Sequence, residues 1–209
     1  MCNIRKELKE YIENEVLPEY NLNESGHGIE HIKYVTERSL KFAEEVKDIN
    51  YEMVYVIASY HDIGHHIDAK HHEVVSAKKL EEDHELKKFF NDEQIKIMKE
   101  AVEDHRASSD SEPRTVYGEI VSSADRNTDV DSAIKRAISY HRKHFPDYTT
   151  EEVIEDARQH LIKKFGKGGY AVEKIYFGKE EYEKYLDELA KITNDKEKFF
   201  QKSYKLIGE

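Results

Sequence analysis

Apolar residues recur along this chain every third or fourth position, and the runs are separated by short polar breaks. Ile4, Leu8, Ile12 and Val16 predict a first helix over about Asn3 to Glu15, ending near Pro18. Asn23-Glu24-Ser25-Gly26 supplies capping side chains for a second helix, about His27 to Lys47. On that helix Val35, Phe42 and Val46 fall in a narrow arc centred close to His31, and His27 lies one turn earlier on the same side. After a break at Asp48-Ile49-Asn50, the stretch Tyr51 to His61 is apolar almost all round, the pattern of a central helix, and Gly64 is its expected stop. A helix from about His72 to Asp83 turns Val74, Val75, Ala77 and Leu80 inward. The next, about Asp92 to Arg106, aligns Ile95, Met98, Val102 and His105 on one face.

Beyond the polar loop Ser108 to Pro113, Tyr117, Val121 and Ala124 share a stripe with Asp125 at its edge. Past Asn127, helices are expected near Ala133 to His144, Thr150 to Phe165 and Lys179 to Lys191, divided by Pro146 and by Gly166-Lys167-Gly168-Gly169. Tyr182, Tyr185, Leu186 and Leu189 there read equally as a docking face or as a core edge. No apolar run alternates with a period of two, so the expected fold is all-α.

Composition adjusts this picture only in places. A length of 209 residues suits one all-α domain, residues 1–209, with a core at about 23–130 and a C-terminal helical part at about 131–209. Charged residues are 37 % of the chain and hydrophobic ones 38 %, which suits helices with well-solvated outer faces because the apolar positions are periodic. A net charge of -11 argues against a nucleic-acid polymer as partner, since binding its backbone needs clustered Lys and Arg. The single cysteine, Cys2, has no internal disulfide partner. The N-terminal residues lack the apolar core of a signal peptide, and the longest apolar run, Met53 to Ala58, is too short to span a bilayer. The expected location is the cytoplasm, without membrane attachment.

Candidate chemistry gathers where the stripes end. His61-Asp62 closes the most apolar helix, His31 opens a buried face, His105 closes another, and Asp125 edges a third. A carboxylate on an apolar stripe needs a partner. Helices in a bundle can direct such side chains to one interior point, and a set of imidazoles and carboxylates suits Mn, Fe, Ni, Co or Zn better than Ca or an all-oxygen Mg site. His31, His61, Asp62 and Asp125 form such a set. His27-Gly28-Ile29-Glu30-His31 is not the zincin motif, because its Glu is misplaced. His66, His71, His84, His141, His144 and His160 read as surface residues.

Ser25-Gly26-His27-Gly28-Ile29-Glu30-His31-Ile32-Lys33-Tyr34-Val35, His61-Asp62-Ile63-Gly64 and Ser123-Ala124-Asp125-Arg126 stand in the order of the three motifs of the HD superfamily of metal-dependent phosphohydrolases. The chain resembles that family over roughly His27 to Asn127. The resemblance implies a multi-helix bundle of the HD type with a C-terminal helical extension. It also implies a first divalent ion on His31, His61, Asp62 and Asp125, and, as in members with two ions bridged by the doublet Asp, His72 and His105 as further ligands. His65 resembles a residue that faces substrate in the HD nucleotide triphosphohydrolases, although His66-Ile67-Asp68-Ala69 departs from their pattern. The acidic pair of guanosine tetraphosphate hydrolases is replaced by His65-His66, and no Gly-Tyr-Pro signature of cyclic dinucleotide phosphodiesterases follows His105.

The implied activity is hydrolysis of a phosphate ester or anhydride by a metal-activated water, with a small phosphorylated metabolite or nucleotide as substrate. Asp62 and His65 are then the catalytic candidates. His27, Arg106 and Arg126 are the candidates for substrate contact, with Lys33 and Lys70 near enough in sequence to reach phosphate oxygens. The alternative is a nucleotide-sensing HD module without turnover that signals through oligomerisation, and a homodimer is compatible with either.

Overall fold

The structure is a computed structural model that describes residues 4–24, 26–109 and 111–208. Ten α-helices and no strand occur among the described residues. The chain divides into two compact units, Met1–Asp125 and Arg126–Glu209.

In the first unit α1 (Lys6–Tyr11) runs into a wider π turn, Ile12–Val16, and a 3-10 turn, Leu17–Leu22. The expected stop near Pro18 does not occur. Pro18 lies in the first turn of the 3-10 segment, where its missing N–H would have no partner in any case. Leu8, Ile12, Val16 and Tyr20 are all buried, and the Tyr20 hydroxyl donates to the Ser59 carbonyl at 2.8 Å. The expected start at Asn3, the capping residue Ser25 and Cys2 lie outside the described residues.

The second helix, α2, spans Ile29–Ala43, shorter at both ends than its periodicity suggests. Gly28 stands at its N-cap without a side-chain cap, so the Asn23 side chain does not cap it and His27 lies in the loop before it. At the other end Glu44, Glu45 and Val46 bond to carbonyls three residues back, which tightens the chain out of the α-helix. The third helix, α3 (Tyr51–Tyr60), is capped by the Asn50 side chain, which accepts from the Glu52 and Met53 amides. Every residue from Met53 to Tyr60 is buried, and α3 packs against α2, α4 (His72–Glu82), α5 (Asp92–Asp104) and α6 (Val116–Ala124). The apolar-all-round helix is the central one.

Two contacts fix the chain that leaves α3. Tyr11 and Tyr60 both donate to Oδ2 of Asp83 at the end of α4. Gly64 lies so close to α4 that an added Cβ would meet Val75 side-chain carbons at 2.7 Å and the Ser76 nitrogen at 2.9 Å, while its own N–H donates to Ser76 Oγ at 2.9 Å. Gly64→Ala is therefore expected to destabilise the protein by about 1–3 kcal/mol, the usual cost of forcing packed elements apart. Chemical denaturation measures it, and an unchanged midpoint would mean that α4 shifts freely. On α4 itself Val74 is exposed and Ser76 buried, the reverse of the inward role expected for Val74. Ser76 is needed inside as the acceptor for Gly64.

The second unit contains α7 (Val130–His144), α8 (Thr150–Phe165), α9 (Lys179–Thr193) and α10 (Lys196–Ile207) around an apolar core. Tyr182, Tyr185 and Leu189 are buried there and Leu186 packs against them, so they form core rather than a docking face. α10 lies beyond the last expected helix; Asp195 caps it and Phe199 inserts into the core. His141, expected on the surface, is buried and stacks on Phe145.

Candidate metal centre

Each chemically suggestive side chain of the first unit sits at or beside a helix end. His31 is in the first turn of α2, His61 closes α3 with Asp62 directly after it, His72 opens α4, His105 closes α5 and Asp125 closes α6. Helix C-termini leave backbone carbonyls without intrahelical partners. Nδ1 of His61 donates to the Ala58 carbonyl at 2.8 Å and Nδ1 of His105 to the Val102 carbonyl at 2.6 Å, and in the loop before α4 Nδ1 of His72 donates to the Ala69 carbonyl at 3.1 Å. A carbonyl only accepts, so the proton sits on Nδ1 and Nε2 is the atom turned inward. Such an outer hydrogen bond fixes the ring and tautomer of a metal-ligating histidine.

The inward atoms surround Asp62, whose side chain is 2 % exposed. On one side its Oδ2 lies 3.5 Å from Nε2 of His31 and 3.5 Å from Nε2 of His61, and Oδ1 of Asp125 is 3.1 and 3.8 Å from the same nitrogens. On the other side its Oδ1 lies 3.2 Å from Nε2 of His72 and 3.6 Å from Nε2 of His105, and those nitrogens are 3.3 Å apart. Ligand atoms about 2.1 Å from a shared ion stand roughly 3.0 to 3.4 Å from one another in octahedral or tetrahedral arrangements. Both groups are near that spacing.

Electrostatics point the same way. Asp62 and Asp125 follow helix C-termini, the negative ends of the helix dipoles, where a carboxylate needs a cation nearby. Burial alone would raise both carboxyls, but the surrounding imidazoles hold Asp62 well below the usual carboxylate range and His31 and His61 lower Asp125. Against the opposing effect of burial, Asp125 and Asp62 push His31 up to about 9, and Asp62 raises His105. Burial and the neighbouring His105 bring His72 down to about 4. The buried Nε2 atoms of His31 and His61 face these carboxylates without making a hydrogen bond. Unsatisfied buried nitrogens beside acceptor-only oxygens are what a cation would satisfy. His27–His31–Asp62, His31–His61–Asp125 and His61–Asp62–His105 are each close enough to hold an ion.

Residues 28–128 match the HD domain family. The chain is an HD-domain protein. HD domains are typically metal-dependent phosphohydrolases, and the buried His/Asp cluster of this HD domain is consistent with a metal site. Comparison with curated proteins and with solved structures gave no match. No helix among the described residues is long and apolar enough to cross a membrane.

Of the other expected site residues, His27 and His65 lie beside the HD cluster. His27 approaches Asp62 Oδ2 through Nδ1 at 2.6 Å and stacks on His65 with ring centroids 4.0 Å apart. His65 is buried and its ring is 5.3 Å from that of His72. Arg106 follows His105 but is held by the Lys70 carbonyl and by Glu73 at 3.2 Å. Lys33 is exposed and pairs with Glu30 at 3.0 Å, and Lys70 is exposed. Arg126 opens the second unit and is buried, at 5 % exposure. Sequence reasoning missed Glu73 and the bridging role of Asn23; both act through residues more than 30 positions away, and no local pattern marks them.

Proposed function

We propose that the protein is a metal-dependent phosphohydrolase that cleaves a phosphate ester or anhydride bond of a nucleotide or another small phosphorylated metabolite. The observation that carries this reading is the division of the Asp62 carboxylate, with Oδ2 toward His31 and His61 and Oδ1 toward His72 and His105. On this reading His31, His61, Asp62 and Asp125 hold one ion, and Asp62, His72 and His105 contribute to the place of a second. A divalent ion of the Mn, Fe, Ni, Co or Zn group supplies an acidified water as nucleophile and neutralises charge on phosphoryl oxygens.

The remaining work falls to the chain. His27, bonded to Asp62 and with its side chain 26 % exposed, and His65 stacked on it form the face that meets substrate. An imidazole there can hold a proton for the leaving oxygen. Arg106, oriented by Glu73, is the nearest arginine in sequence to the His105 side and is the candidate contact for a phosphoryl oxygen.

Elemental analysis of protein purified without chelator, joined to a panel of phosphate esters and nucleotides, tests the proposal. Bound transition metal together with release of phosphate or pyrophosphate is expected. Tight nucleotide binding without turnover under every metal tried would replace it with a sensing module. Metal-free protein that binds none of these ions would overturn it.

A further inference from the structure

Asn23 sits at the end of the 3-10 turn Leu17–Leu22, with its backbone N–H on the Tyr20 carbonyl, in a stretch whose sequence suggests only helix capping. Its side chain does something else. Nδ2 donates to the His27 carbonyl and to the Asp62 carbonyl, both at 2.9 Å. Oδ1 accepts from the His66 backbone N–H at 3.0 Å and from His66 Nδ1 at 3.1 Å. An asparagine amide has two N–H donors and two lone pairs, and all four are used here. The orientation of the amide is set by its partners, since two carbonyls can only accept and a backbone N–H can only donate.

The segments joined this way lie outside the helices. His27 lies before α2, and Asp62 to His66 form the turn after α3. A side-chain bond between them, His27 Nδ1 to Asp62 Oδ2 at 2.6 Å, is the bond whose two backbones Asn23 clamps. The Asp62 carbonyl also receives the His65 N–H at 3.0 Å, so the same point fixes the ring that stacks on His27. We propose that Asn23 is a positioning residue of the candidate centre: its amide locks the His27 backbone against that of Asp62 and thereby sets the approach of the His27 imidazole to the Asp62 carboxylate. Neither close relative of the side chain can substitute. Aspartate would set an oxygen against two carbonyls, and glutamine is one methylene too long for the same four bonds. The consequence for ion binding rests on the phosphohydrolase reading; the geometry does not.

The test uses the full-length protein, metal-free and then titrated with Mn²⁺, as wild type, Asn23→Asp and Asn23→Ala. Two-bond ¹H–¹⁵N spectra of the imidazoles, assigned with His27→Ala, report the protonation and hydrogen bonding of His27 Nδ1, while circular dichroism and thermal melting report the fold. Both Asn23 variants are expected to keep their helical content and to lose the wild-type His27 signature, with His144 in the second unit unmoved. Their affinity for Mn²⁺ is expected to fall by roughly 10- to 100-fold, the range for removing an outer partner of a metal ligand. An unchanged His27 signature in both variants overturns the proposal, and so does a loss of helical content in both, which would make Asn23 a structural residue only. Wild-type protein that binds no Mn²⁺ counts against the phosphohydrolase reading and not against the positioning role, which the imidazole spectra decide.

Discussion

Asp62→Asn is expected to abolish hydrolysis, with a loss well beyond the roughly 10- to 100-fold caused by changing an outer partner of a ligand, and to strip bound metal from the purified protein. Asparagine keeps the shape of the side chain and removes the charge. That charge is the one group facing both imidazole sets, through Oδ2 toward His31 and His61 and through Oδ1 toward His72 and His105. Without it the His31 and His105 rings lose a carboxylate that favours their protonated forms, and Asp125 alone remains to favour them. The fold should persist, because the α3 residues that carry Asp62 are buried by their own apolar contacts. Turnover and metal content are read together on one preparation. Retention of both would remove Asp62 from the centre and with it the proposed function.

Metal removal should give the second large effect, a fall in melting temperature on the order of 10 °C. An ion that binds only the native state at about 1,000 times its dissociation constant stabilises by roughly 4 kcal/mol, and each kcal/mol moves the midpoint of a domain of this size by about 2–4 °C. The effect has a pH dependence of definite sign. In the metal-free protein His31 is raised from 6.5 to about 9. Its contribution to stability is complete below pH 6.5, where folded and unfolded chains are both protonated, and is lost as pH rises from 6.5 through 9. The depressed carboxyls of Asp62 and Asp125 change nothing in that window, since they lose their contribution only as pH falls below the ordinary carboxylate range. Bound metal requires His31 deprotonated, so binding strengthens as pH rises. The gap between chelated and Mn²⁺-loaded melting temperatures should therefore widen from pH 6.5 to 9. Equal midpoints in chelator and in Mn²⁺ at pH 8 would sink the metal reading.

The helical architecture was legible because helical periodicity is a local property, set by side chains three and four residues apart. It placed the central helix from the unbroken apolar stretch after Asn50, and it drew attention to His31, His61-Asp62, His105 and Asp125 because each interrupts or ends a stripe. The structure brings those residues together. Helix boundaries were less legible: Pro18 did not stop the first segment, and α2 was shorter than its pattern, because turns of 3-10 and π type carry the same apolar spacing to within a residue. Val74, expected inward, is exposed while Ser76 is buried, since the demand on Ser76 comes from Gly64, twelve positions away.

The sequence by itself determined that the chain is all helical, which helix is central, and which residue types end the stripes around it. Only the tertiary structure decided how those ends meet. It divided the oxygens of Asp62 between two imidazole sets, drew His72 to 3.2 Å from one of them, tied Arg106 to Glu73, and turned Asn23 from an expected cap into a clamp between His27 and Asp62. The physical reason is distance along the chain. A stripe needs only neighbours within two turns, whereas most of these contacts join segments more than 30 residues apart, and packing sets their separation.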